Sequence, residues 1–320
     1  MPFEIENSVL IKYSGADEEV IIPEGVKAIG EGAFRDVSHL RRVVCSDGLW
    51  GVGDNAFSGC SDLEEIVLPD GMEYIGACAF AFCYKLKKIV IPNGVTELCD
   101  SAFENCGADA VYIPKSVTKF GENVFLDCRA REVVFQNGVT EIPDDLFDGY
   151  YCLESVFIPD SVTRIGDNAF RCCSSLSAVT IPENVLWIGD SAFEEAGLTA
   201  VTIPSDVGEN AFYNCRSLTS VTLLESVRSV GNTAFMNCLS LDEIVVMGEE
   251  TEVDGWGAGY CDSYTYWAEP DGWNYEAEIY VESLVIRAPE GSPAHRYAKN
   301  NGFRFFSLAK KKSSVRKTKK

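Results

Sequence analysis

One order of apolar and polar positions returns along the whole chain: I-P-x-x-V-x-x-I-G-x-x-A-F-x-x-C-x-x-L-x-x-V. It reads LPDGMEYIGACAFAFCYKLKKIV from Leu68, IPDSVTRIGDNAFRCCSSLSAVT from Ile158 and IPENVLWIGDSAFEEAGLTAVT from Ile181. Its marker phenylalanine falls at Phe34, Phe57, Phe80, Phe103, Phe125, Phe147, Phe170, Phe193, Phe212 and Phe235. The steps are 22 or 23 residues except the one from Phe193 to Phe212, which is 19. A fixed period of this size means stacked coils, each touching only its neighbours. The β-branched stretch around L-x-x-V-x-I alternates and predicts a short strand. Proline follows it at Pro23, Pro69, Pro92, Pro114, Pro159, Pro182 and Pro204. Proline lacks the N–H the ladder needs, so the strand ends there. Glycine in I-G permits a tight turn, and A-F-x-x-C is long enough for one turn of α- or 3₁₀-helix.

The expected fold is a right-handed solenoid of about eleven coils of 22–23 residues. One parallel β-sheet lines one flank, with short turns or 3₁₀ pieces opposite. In one coil Leu63, Ile66, Leu68, Met72, Ile75, Phe80 and Cys83 should point inward. Each buried Phe or Leu contributes roughly 1.5–3 kcal/mol of transfer free energy. At a strand spacing of about 4.8 Å the ladder runs to roughly 50 Å. The expected organisation is an N-terminal cap over 1–19, repeats over 20–246 and an aromatic-rich insertion over 247–283. A capping coil over 284–309 and a basic tail over 310–320 complete the chain. In the capping coil, Ser292 suits a helix N-cap with Pro293 at the first helical position, and Gly302 should close the helix before a strand at Phe303–Phe306.

Thirteen cysteines sharpen this picture. Cys60, Cys83, Cys106, Cys128, Cys173, Cys215 and Cys238 all lie three residues after a marker Phe, where Val37 and Ala196 stand in two other coils. Free substitution by small apolar residues points to a reduced, buried packing column. Paired ligands at C-x-x-C spacing do not occur, so no metal site is expected.

The phrase resembles the BspA-like leucine-rich repeats, also called the Treponema pallidum-type repeats. The resemblance covers about Val20 to Val246, and APEGSPAHRYAKNNGFRF (Ala288–Phe305) looks like the terminal coil of such proteins. The period also lies in the range of leucine-rich repeats. The resemblance implies a leucine-rich repeat solenoid. Its members are typically proteins of gut and oral bacteria and some protists, many of them surface proteins linked to adhesion to host matrix or other cells.

Charge and chemistry then narrow the function. The formal net charge is −22, yet residues 310–320 hold seven Lys and Arg and no acid. An acidic body repels nucleic acid and anionic membranes, so neither partner is expected. The N-terminus lacks a basic region followed by an apolar run, and no stretch approaches the ~20 apolar residues of a membrane span. A cytoplasmic location is the expectation, with the cell surface or secretion as the alternative if an export signal has been removed.

Only His39 and His295 are present, far apart along the coils. No Ser-His-Asp or Cys-His set and no phosphate loop is apparent, so neither catalysis nor a cofactor is expected. What remains is a surface that binds a protein or peptide. The outward column of the strands reads Ile21, Val44, Val67, Val90, Tyr112, Val134, Phe157, Thr180, Thr202, Thr222 and Val245. It is apolar through Phe157, and Val90, Tyr112, Val134 and Phe157 are the candidate contacts. Beside it, Arg41 and Arg42, Glu64 and Glu65, then Lys87 and Lys88 alternate in sign, which favours pairing across strands. Between Val246 and Ile286 the repeat phrase stops, and aromatic residues crowd a Gly-rich stretch. Trp256, Tyr266, Trp267 and Trp273 there are candidate contacts for a protein or a carbohydrate, or else residues that cap the open end of the coil stack. The favoured reading is a non-catalytic interaction scaffold. The alternative is a surface adhesin that uses the aromatic insertion against matrix protein or glycan.

Overall fold

The structure is a computed structural model, and it describes residues 2–253, 255–262, 277–279 and 283–308. The repeats wind a β-solenoid of about twelve turns with little helix. The expected ladder of L-x-x-V-x-I strands forms, with parallel pairing in one constant register. Glu19–Ile21, Arg42–Val44 and Glu65–Val67 make its first segment. Lys88–Val90, Ala110–Ile113, Glu132–Phe135 and Ser155–Phe157 make the second. The third holds Ala200–Ile203, Ser220–Leu223, Glu243–Val246, Val285–Ala288 and Arg304–Ser307. Alternation decides the facing: Val20 and Ile22 are buried while Ile21 between them is exposed.

A single sheet was the expectation, but a second parallel ladder runs along the coils. It is built from two-residue strands at the x-I of x-I-G, from Ala28–Ile29 through Gly51–Val52, Tyr74–Ile75 and Glu97–Leu98 to Lys119–Phe120. It resumes from Glu141–Ile142 through Arg164–Ile165 and Trp187–Ile188 to Asp206–Val207. The A-F-x-x-C piece is not a helical turn. Alternate N–H groups there split between two tasks. Phe57 N–H donates to Ala79 O of the next coil (2.8 Å) and Phe170 N–H to Ala192 O (2.8 Å). The N–H groups between them close local turns, as Ala56 to Gly53 O (3.2 Å) and Cys60 to Phe57 O (3.1 Å) do. Left-handed residues bracket each marker, Asn55 and Gly59 around Phe57, Asn168 and Cys172 around Phe170. Where both ladders run, a coil thus grips the next at three places, and the buried backbone is satisfied between coils.

The marker rings form one continuous stack. From Phe34 to Phe235 neighbouring centroids lie 4.8–5.8 Å apart with planes within 17° of parallel. This is the offset-stacked range. Beside it the cysteine column has a task beyond packing. Cys60 Sγ reaches Phe34 O at 3.1 Å, Cys106 Sγ reaches Phe80 O at 3.1 Å and Cys215 Sγ reaches Phe193 O at 3.1 Å, so thiols supply weak donors to buried carbonyls of the coil before. Burial pushes these thiols up, Cys238 to about 12. They are held as neutral, unreactive groups.

The I-G glycine has a different cause from the tight turn expected of it. A Cβ on Gly189 would lie 2.4 Å from Asp167 Oδ1 and 2.6 Å from the Asp167 backbone nitrogen. The coils simply approach too closely there for a side chain. That Asp167 carboxylate accepts from Asp190 N–H (3.0 Å), and Asp144 and Asp190 repeat the contact with Asp167 and Glu209.

The ends close differently. The antiparallel hairpin Phe3–Glu6/Val9–Tyr13 joins the second ladder and lays Tyr13 on Phe34, centroids 5.0 Å apart. At the other end Ser292 caps the helix Pro293–Asn300, accepting from His295 N–H at 3.2 Å, with Pro293 in its first turn. Gly302 takes a positive φ and Arg304–Ser307 follows as the last strand. The solenoid continues where the repeat phrase was expected to stop at Val246. Trp256 closes the ring column from the position before the marker: Phe235 N–H donates to Trp256 O (2.8 Å) as Phe170 N–H does to Ala192 O, and the two rings meet edge to face at 6.1 Å.

Candidate functional site

Four of the predicted contact residues come together on the central segment of the main ladder. Tyr112 pairs with Val90 on one side and Val134 on the other, and Val134 pairs with Phe157. At the usual strand spacing of about 4.8 Å they form one row some 14 Å long. Phe157 is 57% exposed and Val90 49%, while Tyr112 and Val134 are half-buried between them. Lys88 Nζ sits 5.9 Å from the centroid of the Tyr112 ring.

The ladder is interrupted on both sides of this row, and a cleft opens at each interruption. The first, about 630 Å³, lies between Glu65–Val67 and Lys88–Val90. Ile66, Val67, Leu68, Val90 and Pro92 supply its apolar walls, and Arg42, Glu64, Glu65 and Lys88 its rim. Ile66 and Leu68, expected fully inside, are only partly covered here. The second cleft, about 540 Å³, flanks Phe157 and is lined by Pro159, Thr180 and Pro182 among others.

Several charges before and along the row pair with one another. Glu64 accepts from Arg41 (2.6 Å) and pairs with Lys87, and Arg42 pairs with Glu65 at 2.8 Å. The hydrogen bonds from Lys87 and Arg41 hold the Glu64 carboxyl down to about 2. Arg131 pairs with Glu154 at 3.3 Å further along. Beyond Phe157 the neighbouring column turns small and hydroxylic. Thr199 and Thr219 there spend their hydroxyls on carbonyls of the coil before, Ser177 O (3.2 Å) and Thr199 O (2.9 Å).

Of the aromatic candidates, Trp256 is corrected by its surroundings. It is 0% exposed, wedged between Phe235 and Tyr297 with centroids 6.1 and 5.1 Å away, and meets no partner. Tyr266, Trp267 and Trp273 lie outside the described residues. Sequence reasoning missed the two clefts, since nothing in a strand of E-I-V or S-V-F announces that its neighbour stands off. It also missed Leu186 and Trp187 on the second ladder, both exposed. The signal was present, because other coils place Thr or a charged residue there.

Among the described residues, no group of three or more His, Cys, Asp or Glu is disposed to hold a metal ion. No helix among them is long and apolar enough to cross a membrane.

Comparison with known proteins agrees with this architecture. The model of the BspA type leucine rich repeat region matches residues 5–132 and 140–264 in six copies. A leucine-rich repeat protein from Bacteroides ovatus is 22% identical over 94% of each chain, with a TM-score of 0.56. A leucine rich cell surface protein from Faecalibacterium prausnitzii is 22% identical over 97% of this chain and 93% of its own, with a TM-score of 0.43. A search of curated proteins found no match. With most of its length matched by that repeat model, the chain belongs to the BspA-type leucine-rich repeat proteins.

Proposed function

We propose that this protein is a non-catalytic scaffold that binds a protein or peptide through the main ladder, at the row Val90–Tyr112–Val134–Phe157. The carrying observation is the coincidence of an exposed apolar row with clefts on both flanks. Beside it, Arg41, Glu64 and Lys87 are paired with one another and Thr199 and Thr219 spend their hydroxyls on the backbone. A partner there gains little, because an already paired surface charge offers only a screened contact. Apolar side chains on either flank of a row, by contrast, suit a partner that lays one ridge across the strands and drops bulky groups into the clefts. The solenoid family supplies proteins compatible with binding and with surface display. The reading includes a reducing compartment, because the repeat thiols are free and several flank the core column.

The test is affinity capture from the native organism, comparing wild type with a Tyr112→Ser/Phe157→Ser double variant whose thermal unfolding is unchanged. A partner held by wild type and lost by the variant supports the site. Equal capture by both removes it. Fractionation of the native cells checks the compartment.

A further inference from the structure

The main ladder has two unpaired edges, and they are complementary. At the start, Glu19–Ile21 pairs only with Arg42–Val44, and at the finish Arg304–Ser307 pairs only with Val285–Ala288. The hairpin and the terminal helix close the aromatic core, but neither covers the outer edge of these strands among the described residues. An open edge presents unspent N–H and C=O groups and is a template for another strand.

Extending the register of the ladder by one strand specifies the fit. Glu19 faces Arg42 within the chain, and Arg304 occupies the same column at the far end. A following Glu19–Ile21 would therefore set Glu19 beside Arg304, Val20 beside Phe305 and Ile21 beside Phe306. Arg304 of one molecule would thereby add one opposite charge ahead of the run Glu19, Arg42, Glu65, Lys88 of the next. Neither Glu19 nor Arg304 has an ion-pair partner within 4 Å among the described residues, unlike Arg41, Arg42, Glu64 and Glu65 between them. Ile21 is 73% exposed and Phe306 43%, apolar side chains at the edges, Phe306 with the guanidinium groups of Arg287 and Arg304 4.9 and 5.8 Å from its ring centroid. The wider ends carry the same asymmetry. Asp17 and Glu18 flank the first strand, while Arg296 and Lys299 lie exposed on the terminal helix. Like ends repel and unlike ends attract.

From this we infer that the chain associates head to tail with further copies of itself, the last strand of one molecule pairing in parallel with the first strand of the next. The contact is heterologous, so nothing in it limits the count to two. It is built from edge strands and leaves the row Val90–Tyr112–Val134–Phe157 uncovered, although Glu19 also lines the first cleft.

Sedimentation velocity of the full chain over a wide concentration range tests this, with salt as a second axis. Wild type should grow beyond dimer with concentration, and added salt should weaken the association. Glu19→Arg alone, or Arg304→Glu alone, should weaken self-association by roughly tenfold or more through like-charge contact. An equimolar mixture of the two variants should associate again, because each end then meets an opposite charge. Circular dichroism confirms that both variants fold. Wild type that stays monomeric, growth that halts at dimer, or single variants that associate like wild type would each overturn the inference. Loss of association on deleting residues 310–320, with Glu19→Arg still associating, would overturn it as well by assigning the effect to the basic tail.

Discussion

The two halves of the main face sit on the same core and differ only outward. Beneath Ile21–Phe157 and beneath Thr180–Thr222 alike, marker rings stack at matching distances and cysteines reach back to the carbonyls of the coil before. Outward, the first half shows apolar side chains, ion pairs and clefts flanking an apolar row, and the second shows Thr and Ser around a cleft of its own, about 480 Å³. Since the interior is constant, the difference lies in what each half presents outward. It is the first half that carries the row proposed for the partner.

The comparison is broken most severely if the core proves unequal. Phe57→Ala and Phe170→Ala, one under each half, should each lower unfolding free energy by about 3–5 kcal/mol, measured by chemical denaturation. Costs differing by more than the experimental spread would mean that the halves are not equivalent inside. On the surface the halves should separate. Tyr112→Ser/Phe157→Ser should cost about 2 kcal/mol or more of partner affinity if these are anchors. Thr202→Ala/Thr222→Ala should leave affinity within a few tenths, both read by titration calorimetry with the captured partner. Gly189→Ala forces a methyl against the backbone of Asp167 and should cost about 1–3 kcal/mol. A neutral result would mean the coils can part at that point.

The smallest effect is the acid response of the first half. The Glu64 carboxyl has an ordinary value of 4.5 when unfolded and about 2 when folded. Its contribution is therefore fully present above the unfolded value and is lost as the pH falls through the folded one. The melting-temperature advantage of wild type over Glu64→Gln should be largest near neutrality, modest in size because the Arg41 and Lys87 partners are exposed, and should shrink away as the pH falls from 4.5 to 2. Parallel pH profiles would show that the Arg41–Glu64–Lys87 chain contributes nothing.

The repeat period made the stack, the ring column and the outward row legible, because identical residues 22 or 23 apart must lie in register. The second ladder was not legible, since two residues such as Tyr74–Ile75 cannot display an alternation. The role of the I-G glycine was misread because close approach between coils leaves no local trace. Trp256 was hidden by its chemistry. A tryptophan 21 residues after Phe235 stands where the alanine before a marker would, and its ring closes the stack, but a cluster of aromatic neighbours drew it into a surface reading. The clefts have no sequence signature because they arise from strands standing apart, not from residue type.

The 19-residue coil between Phe193 and Phe212 shows where this architecture tolerates change. Three of the missing residues come from the stretch linking the two ladders, where Ile203-Pro204-Ser205-Asp206-Val207-Gly208 replaces a nine-residue phrase. Both gripping points beside it survive: Ile188 still pairs with Val207, and Phe193 N–H still reaches Ala211 O at 2.8 Å. Length is thus free to vary on the arc between the grips and frozen at the grips themselves. A lineage of such chains can lengthen or trim arcs, and so reshape its outer contour coil by coil, without ever reopening the question of how one coil meets the next.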